Sequence, residues 1–142
     1  MVKTWKNEKD REEETYQIML DSAINTIQDG KISPAIQMLK DIVKTYPDDA
    51  LPYLYLANLY SIQDEKKEAL GKYHKAWEMK EKLQNRTHLI PYQTIFLLLT
   101  FEPIPMDQLK FWLEKASAFH ELYDFESRLI INLAKRIAEG EK

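Results

Sequence analysis

Apolar positions in this chain recur at steps of three and four, the spacing of one helix face. From about Asn7 to Gln28 they are Tyr16, Met19, Leu20, Ala23, Ile24 and Ile27, and Asp29-Gly30 closes the helix as a glycine C-cap does. Ser33-Pro34 predicts the next start, with Ser as N-cap and Pro in the first helical position. Its stripe is Ala35, Ile36, Leu39, Ile42 and Val43, and Tyr46-Pro47-Asp48-Asp49 breaks it. A third helix runs from about Leu51 to Ile62, capped by Asp49 with Pro52 in its first turn. Gln63-Asp64 is a short turn. A fourth helix runs from about Glu65 to Gln84 with Ala69, Leu70, Tyr73, Ala76, Trp77 and Met79 apolar. The fifth, about Pro91 to Phe101, is apolar nearly all round and is expected at the centre of the core. Glu102-Pro103-Ile104-Pro105 forces a loop, since proline cannot continue a helix and restrains the residue before it. The sixth runs from about Met106 to Leu122, and Asp124 caps a seventh that ends near Glu139-Gly140. Alternating strand-like runs are missing and no heptad survives the breaks, so the expected class is all-α and not a coiled coil.

Seven helices in consecutive pairs invite a search for an internal period. Residues 16–49 and 50–83 overlay at an offset of 34, the length of a known helix-pair repeat. Ala23 falls on Ala57, Ala35 on Ala69, Leu39 on Tyr73 and Ile42 on Ala76. The second segment carries Tyr53, Leu56-Ala57, Tyr60, Ala69, Tyr73 and Ala76, with Glu81 in place of a closing proline. The first keeps Met19, Ala23, Ala35, Leu39 and Pro47, but has Ser22 and Thr26 at large positions and Ile42 at a small one.

This pattern resembles the tetratricopeptide repeat (TPR) family. The resemblance implies a right-handed solenoid of antiparallel helix pairs: repeats at 16–49 and 50–83, a TPR-like pair at about 88–122, and a capping helix at about 124–140. Solenoids need such a cap because a terminal unit has no neighbour. Residues 1–15 are either a charged extension folded back through Trp5 or the start of the first helix, where Lys6–Asp10 and Lys9–Glu13 are helix-spaced opposite charges.

Members of this family usually bind an extended peptide or a partner's helix in a concave groove of their A helices. By resemblance the groove positions are Gln17, Leu20, Ile24, Ile27 and Gln28 in the first repeat. In the second they are Leu51, Leu54, Asn58, Ser61 and Ile62. The set is mostly apolar, so desolvation would drive binding at roughly 25 cal/mol per Å² of apolar area removed. Asn58 offers both donor and acceptor to a peptide backbone. Leu20 and Leu54 stand where the family's co-chaperones carry polar clamp residues, which argues against binding of a terminal carboxylate.

The seventh helix offers a second surface. Leu129, Leu133, Ile137, Ile130, Ala134, Ala138 and Ile131 cover about 200° of its wheel, against roughly 100° for a cap on one neighbour. The surplus, chiefly Ile131 and Ala138, predicts either a homodimer contact or a cap seated in a deep groove between two helices.

Composition and chemistry narrow the function further. The 142 residues are one domain's worth of chain, with 44% apolar and 30% charged residues and a net charge of -3. No segment is a basic block, which disfavours nucleic acid. With no cysteine, thiol catalysis and Cys-ligated metals are excluded. The longest apolar stretch, residues 95–101, is far short of the ~20 needed to span a membrane, and the N-terminus has no signal-peptide core, so the expected location is cytoplasmic. His74, His88 and His120 are unpaired in sequence, Glu12-Glu13-Glu14 reads as a solvated helix face, and no phosphate loop or nucleophile motif is present. The expectation is a non-enzymatic adaptor with no cofactor or metal, binding a protein partner with an apolar segment. The alternatives are a structural subunit that self-associates through the seventh helix and, more remotely, an enzyme or its accessory domain.

Overall fold

The computed structural model describes residues 5–140, and every regular element among them is helical. The helices are α1 (Glu8–Gln28), α2 (Ile32–Thr45), α3 (Ala50–Ile62), α4 (Lys66–Glu78), α5 (Leu89–Leu98), α6 (Met106–Ser117) and α7 (Phe125–Ala138). Two 3₁₀ segments, Lys80–Arg86 and His120–Leu122, join α4 to α5 and α6 to α7.

Side-chain caps fix three of the starts. Asn7 accepts from Asp10 N at 2.8 Å, Asp49 from Leu51 N at 3.3 Å, and Asp124 from Ser127 N at 2.8 Å. The side-chain and backbone hydrogen bonds from Ser127 hold the Asp124 carboxyl below its usual pKa range. The expected Ser33 cap is not used. The second helix begins at Ile32, behind Lys31, with no side-chain hydrogen bond at its start. The fourth and sixth helices stop short of their predicted ends, at Glu78 and Ser117, because the chain tightens there into 3₁₀ turns.

The 34-residue offset reappears in the backbone. The ends of α1 and α3 (Gln28, Ile62) and the starts of α2 and α4 (Ile32, Lys66) stand that far apart. So do the left-handed residues between them, Gly30 (φ 77°) and Asp64 (φ 62°). Glycine takes this conformation freely, and aspartate is among the few other residues that tolerate it. Each turn closes with the same bond, Lys31 N to Thr26 O at 3.1 Å and Glu65 N to Tyr60 O at 2.9 Å.

Each helix packs on its successor in the chain, most heavily α3 on α4, and α7 also reaches α5. The equivalent residues Ala23 and Ala57, Ala35 and Ala69, and Ile42 and Ala76 are all fully buried. The deepest element is α3, which buries eight of its thirteen residues, so the expected central place of α5 is shared with it. Within α5, Thr94 is fully buried and satisfies its hydroxyl by donating to Ile90 O at 2.7 Å. An aromatic cluster joins α4 to α6: Trp112 meets Trp77 edge-on at 5.6 Å and Phe111 at 5.1 Å, and Trp77 meets Phe119 at 6.4 Å. Residues 8–15 lengthen α1, and Trp5 donates its indole N–H to Glu14 while remaining exposed. The N-terminal segment is thus the start of the first helix over its described part.

Candidate apolar groove between α3 and α5

The predicted groove residues divide into three sets. Leu20 and Leu54 are buried core residues. Leu54 gives almost no surface to a partner, and Leu20 shows only an edge. Gln17 and Leu51, with the edge of Leu20, line a cleft of about 320 Å³ whose far wall is Lys82, Leu83 and Arg86. The 3₁₀ segment Lys80–Arg86 packs on α3, and its Leu83 is buried. This end of the expected groove is therefore covered by a segment that the periodicity assigned to the fourth helix. Ile24 and Ile27 are half-buried against the core, and Gln28 is exposed.

The third set stays open. Asn58, Ser61 and Ile62 of α3 line a cleft of about 350 Å³ with Tyr92, Gln93 and Phe96 of α5 and Tyr73 of α4. Ile62 is 67% exposed and Phe96 52%, large values for apolar side chains that share one cleft. No charged side chain lines it. Tyr92 is braced by Phe96 at 6.4 Å and by Tyr123 at 6.1 Å between ring centroids. Tyr123 in turn donates to His88 O at 2.7 Å, which ties the start of α7 to the start of α5.

The sequence reading missed Tyr92, Gln93 and Phe96. A signal for two of them existed: Tyr92 and Phe96 stand 34 residues after Asn58 and Ile62. The alanines that mark helix pairing do not continue into α5, where Pro91 follows Ala57 in register, so the period seemed to end.

Polar groups at the cleft are few and specific. Tyr73 donates its hydroxyl to Asn58 Oδ1 at 2.5 Å. With its oxygen engaged, Asn58 keeps two Nδ2 hydrogens to donate. Asn58 can therefore donate to a carbonyl of a ligand's backbone. Gln93 Oε1 is buried with no hydrogen-bond donor among the described residues.

Burial pushes the Tyr73 phenol well above its ordinary pKa. The native state holds this proton where the unfolded chain releases it. Stability is full below the ordinary tyrosine value of about 10 and falls as pH rises above it, by at most about 1.4 kcal/mol per pH unit for this group. Urea midpoints recorded from pH 8 to 11 should decline only above pH 10, and Tyr73→Phe should flatten part of that decline.

No group of three or more His, Asp or Glu side chains placed to hold a metal occurs among the described residues. His88 is half-buried, with its ring 5.7 Å from Tyr123. His74 leans on Trp112 at 5.0 Å. No described helix is long and apolar enough to cross a membrane.

The last helix also differs from expectation. Ile131 is buried and Ala138 half-buried, both packed into the core, so neither is the surplus surface of α7. That helix turns its Ile131 and Ala134 face toward α5 and α6, leaving Leu129 and Leu133 outside.

The chain matches no protein-family model and no curated protein.

Proposed function

We propose that the chain is a non-enzymatic interaction module of TPR type, a right-handed stack of helix pairs with α7 as its cap. It binds an apolar segment of a partner protein in the cleft between α3 and α5. The observation that carries this reading is the cleft's composition: Ile62 and Phe96 exposed side by side, with two side-chain amides and no charge. Exposed apolar patches of this kind mark interaction sites more often than isolated apolar residues do. The 34-residue recurrence of helix ends, turns and buried small residues supports the family assignment. An apolar side chain of the ligand would lie between Ile62 and Phe96, while Asn58 donates to its backbone.

The test is selection from a displayed library of random peptides, followed by titration of the selected peptides. Enriched sequences should carry one or two large apolar residues and no required charge. Phe96→Arg should weaken binding at least about tenfold, or 1.4 kcal/mol, because the charge has no partner in the cleft. Phe125→Arg, on a separate exposed surface, should leave binding unchanged. Circular dichroism should be the same for all three proteins. Selected peptides that bind the Phe96→Arg variant as tightly as the parent, or a library that yields no binders, would overturn the reading.

A further inference from the structure

We propose that the outer face of α7 is a self-association surface on which two copies of the chain pair, α7 against α7 and antiparallel, about a two-fold axis near Leu129. Phe125, Leu129 and Leu133 follow one another at four-residue steps and are 74%, 51% and 51% exposed. Residues four apart make one ridge on a helix surface. Leu122, just before the helix, is also exposed and extends the line. Single apolar residues on a surface need no explanation, but large ones in a row on a terminal helix form a patch.

Charge selects the occupant. Around the N-terminal end of α7 stand Glu121, Asp124, Glu126 and Arg128, a net charge of -2, and around its C-terminal end Lys135, Arg136 and Glu139, a net charge of +1. A second α7 laid antiparallel brings its basic end to the first one's acidic end, twice over by symmetry, and the two helix dipoles oppose. A parallel copy would set acid on acid and base on base. With Leu129 near the axis, Phe125 of one copy meets Leu133 of the other, and the two Leu129 side chains meet each other. The 14-residue helix is about 21 Å long. One such face supplies less than the roughly 800 Å² per partner of a standard interface. The pairing is therefore weak and reversible. It leaves the α3–α5 cleft free and does not depend on what that cleft binds.

Sedimentation velocity over a series from about 1 µM to 1 mM should show the parent moving from one chain to two. Leu129→Glu should stay a single chain throughout, with unchanged circular dichroism, since the side chain it replaces is half in solvent. Direction is read by cross-linking, free of background because the chain contains no cysteine. An equal mixture of Phe125→Cys and Leu133→Cys should give a disulfide-linked dimer under mild oxidation, and each variant alone should give little. A parent that remains a single chain at the highest concentration would overturn the proposal. So would efficient cross-linking of Phe125→Cys alone, which reports a parallel pair. Growth beyond two chains, abolished by Ile18→Asp, would also overturn it and point to head-to-tail stacking on the α1–α2 end, where Ile18 is exposed.

Discussion

Trp112→Ala is expected to lower stability by about 3–5 kcal/mol, the range for removing a buried aromatic side chain. The indole is fully buried and touches Trp77 and Phe111 edge-on, with His74 beside it, so no single neighbour can fill the space it leaves. Its Nε1 has no acceptor among the described residues, so the loss is one of packing and not of a hydrogen bond. A domain's whole stability is about 5–15 kcal/mol, which makes this one residue a large share of it. Urea titration should show a much lower midpoint at unchanged slope, and Trp112→Phe should recover much of the difference. A shift under about 1 kcal/mol would mean that α4 and α6 close over the gap and that the aromatic cluster does not fix their spacing.

Ala57→Leu is expected to cost about 1–3 kcal/mol by overpacking. Ala57 is fully buried in α3, the helix packed most heavily on α4, and a larger side chain there must push two helices apart or leave its rotamer well. Ala23→Leu, at the equivalent position of the first pair, tests the same constraint. Equilibrium denaturation of both variants measures it. If both were as stable as the parent, the small residues would not be spacing the helices, and the repeat pattern would lose its physical meaning.

Much of the fold was legible because local chemistry and tertiary packing agree. Asp49 and Asp124 cap the helices they were expected to cap, and Gly30 ends the first turn in the left-handed conformation that glycine permits. Ser33 misled because a serine followed by proline marks a start only to within one turn; the backbone behind Lys31 begins the helix earlier. Residues 80–86 misled because a helical period says nothing about whether the next turn meets a neighbour. Leu83 does meet one, and the chain tightens to bury it.

The site was harder to read than the fold. On a wheel, Leu54 and Asn58 look like the same face, yet the first is core and the second lines the cleft. A helix's apolar arc does not say which part of it turns inward when the neighbours are unknown. In α7 the same ambiguity exchanged Ile131 for Leu129. Three of the seven residues that line the open cleft come from α5, which carries the 34-residue offset without the alanines, and such a helix declares its role only once α3 stands beside it.

The long first helix has a consequence for how the molecule breathes. Of its 21 residues only Leu20 and Ala23 are buried, both in its second half. Residues 8–15 are held chiefly by surface contacts such as the Lys9–Glu13 ion pair and the Tyr46 hydroxyl donating to Glu12 O at 3.4 Å. Exposed ion pairs of this kind add at most about 1 kcal/mol each. The amide hydrogens of these turns therefore trade with solvent through local fraying, while those of α3, enclosed along most of its length, wait for the whole domain to open. The clock that times exchange in one helix is thus not the clock that times it in the other, and the boundary between them falls inside α1, near the first residue that the core holds.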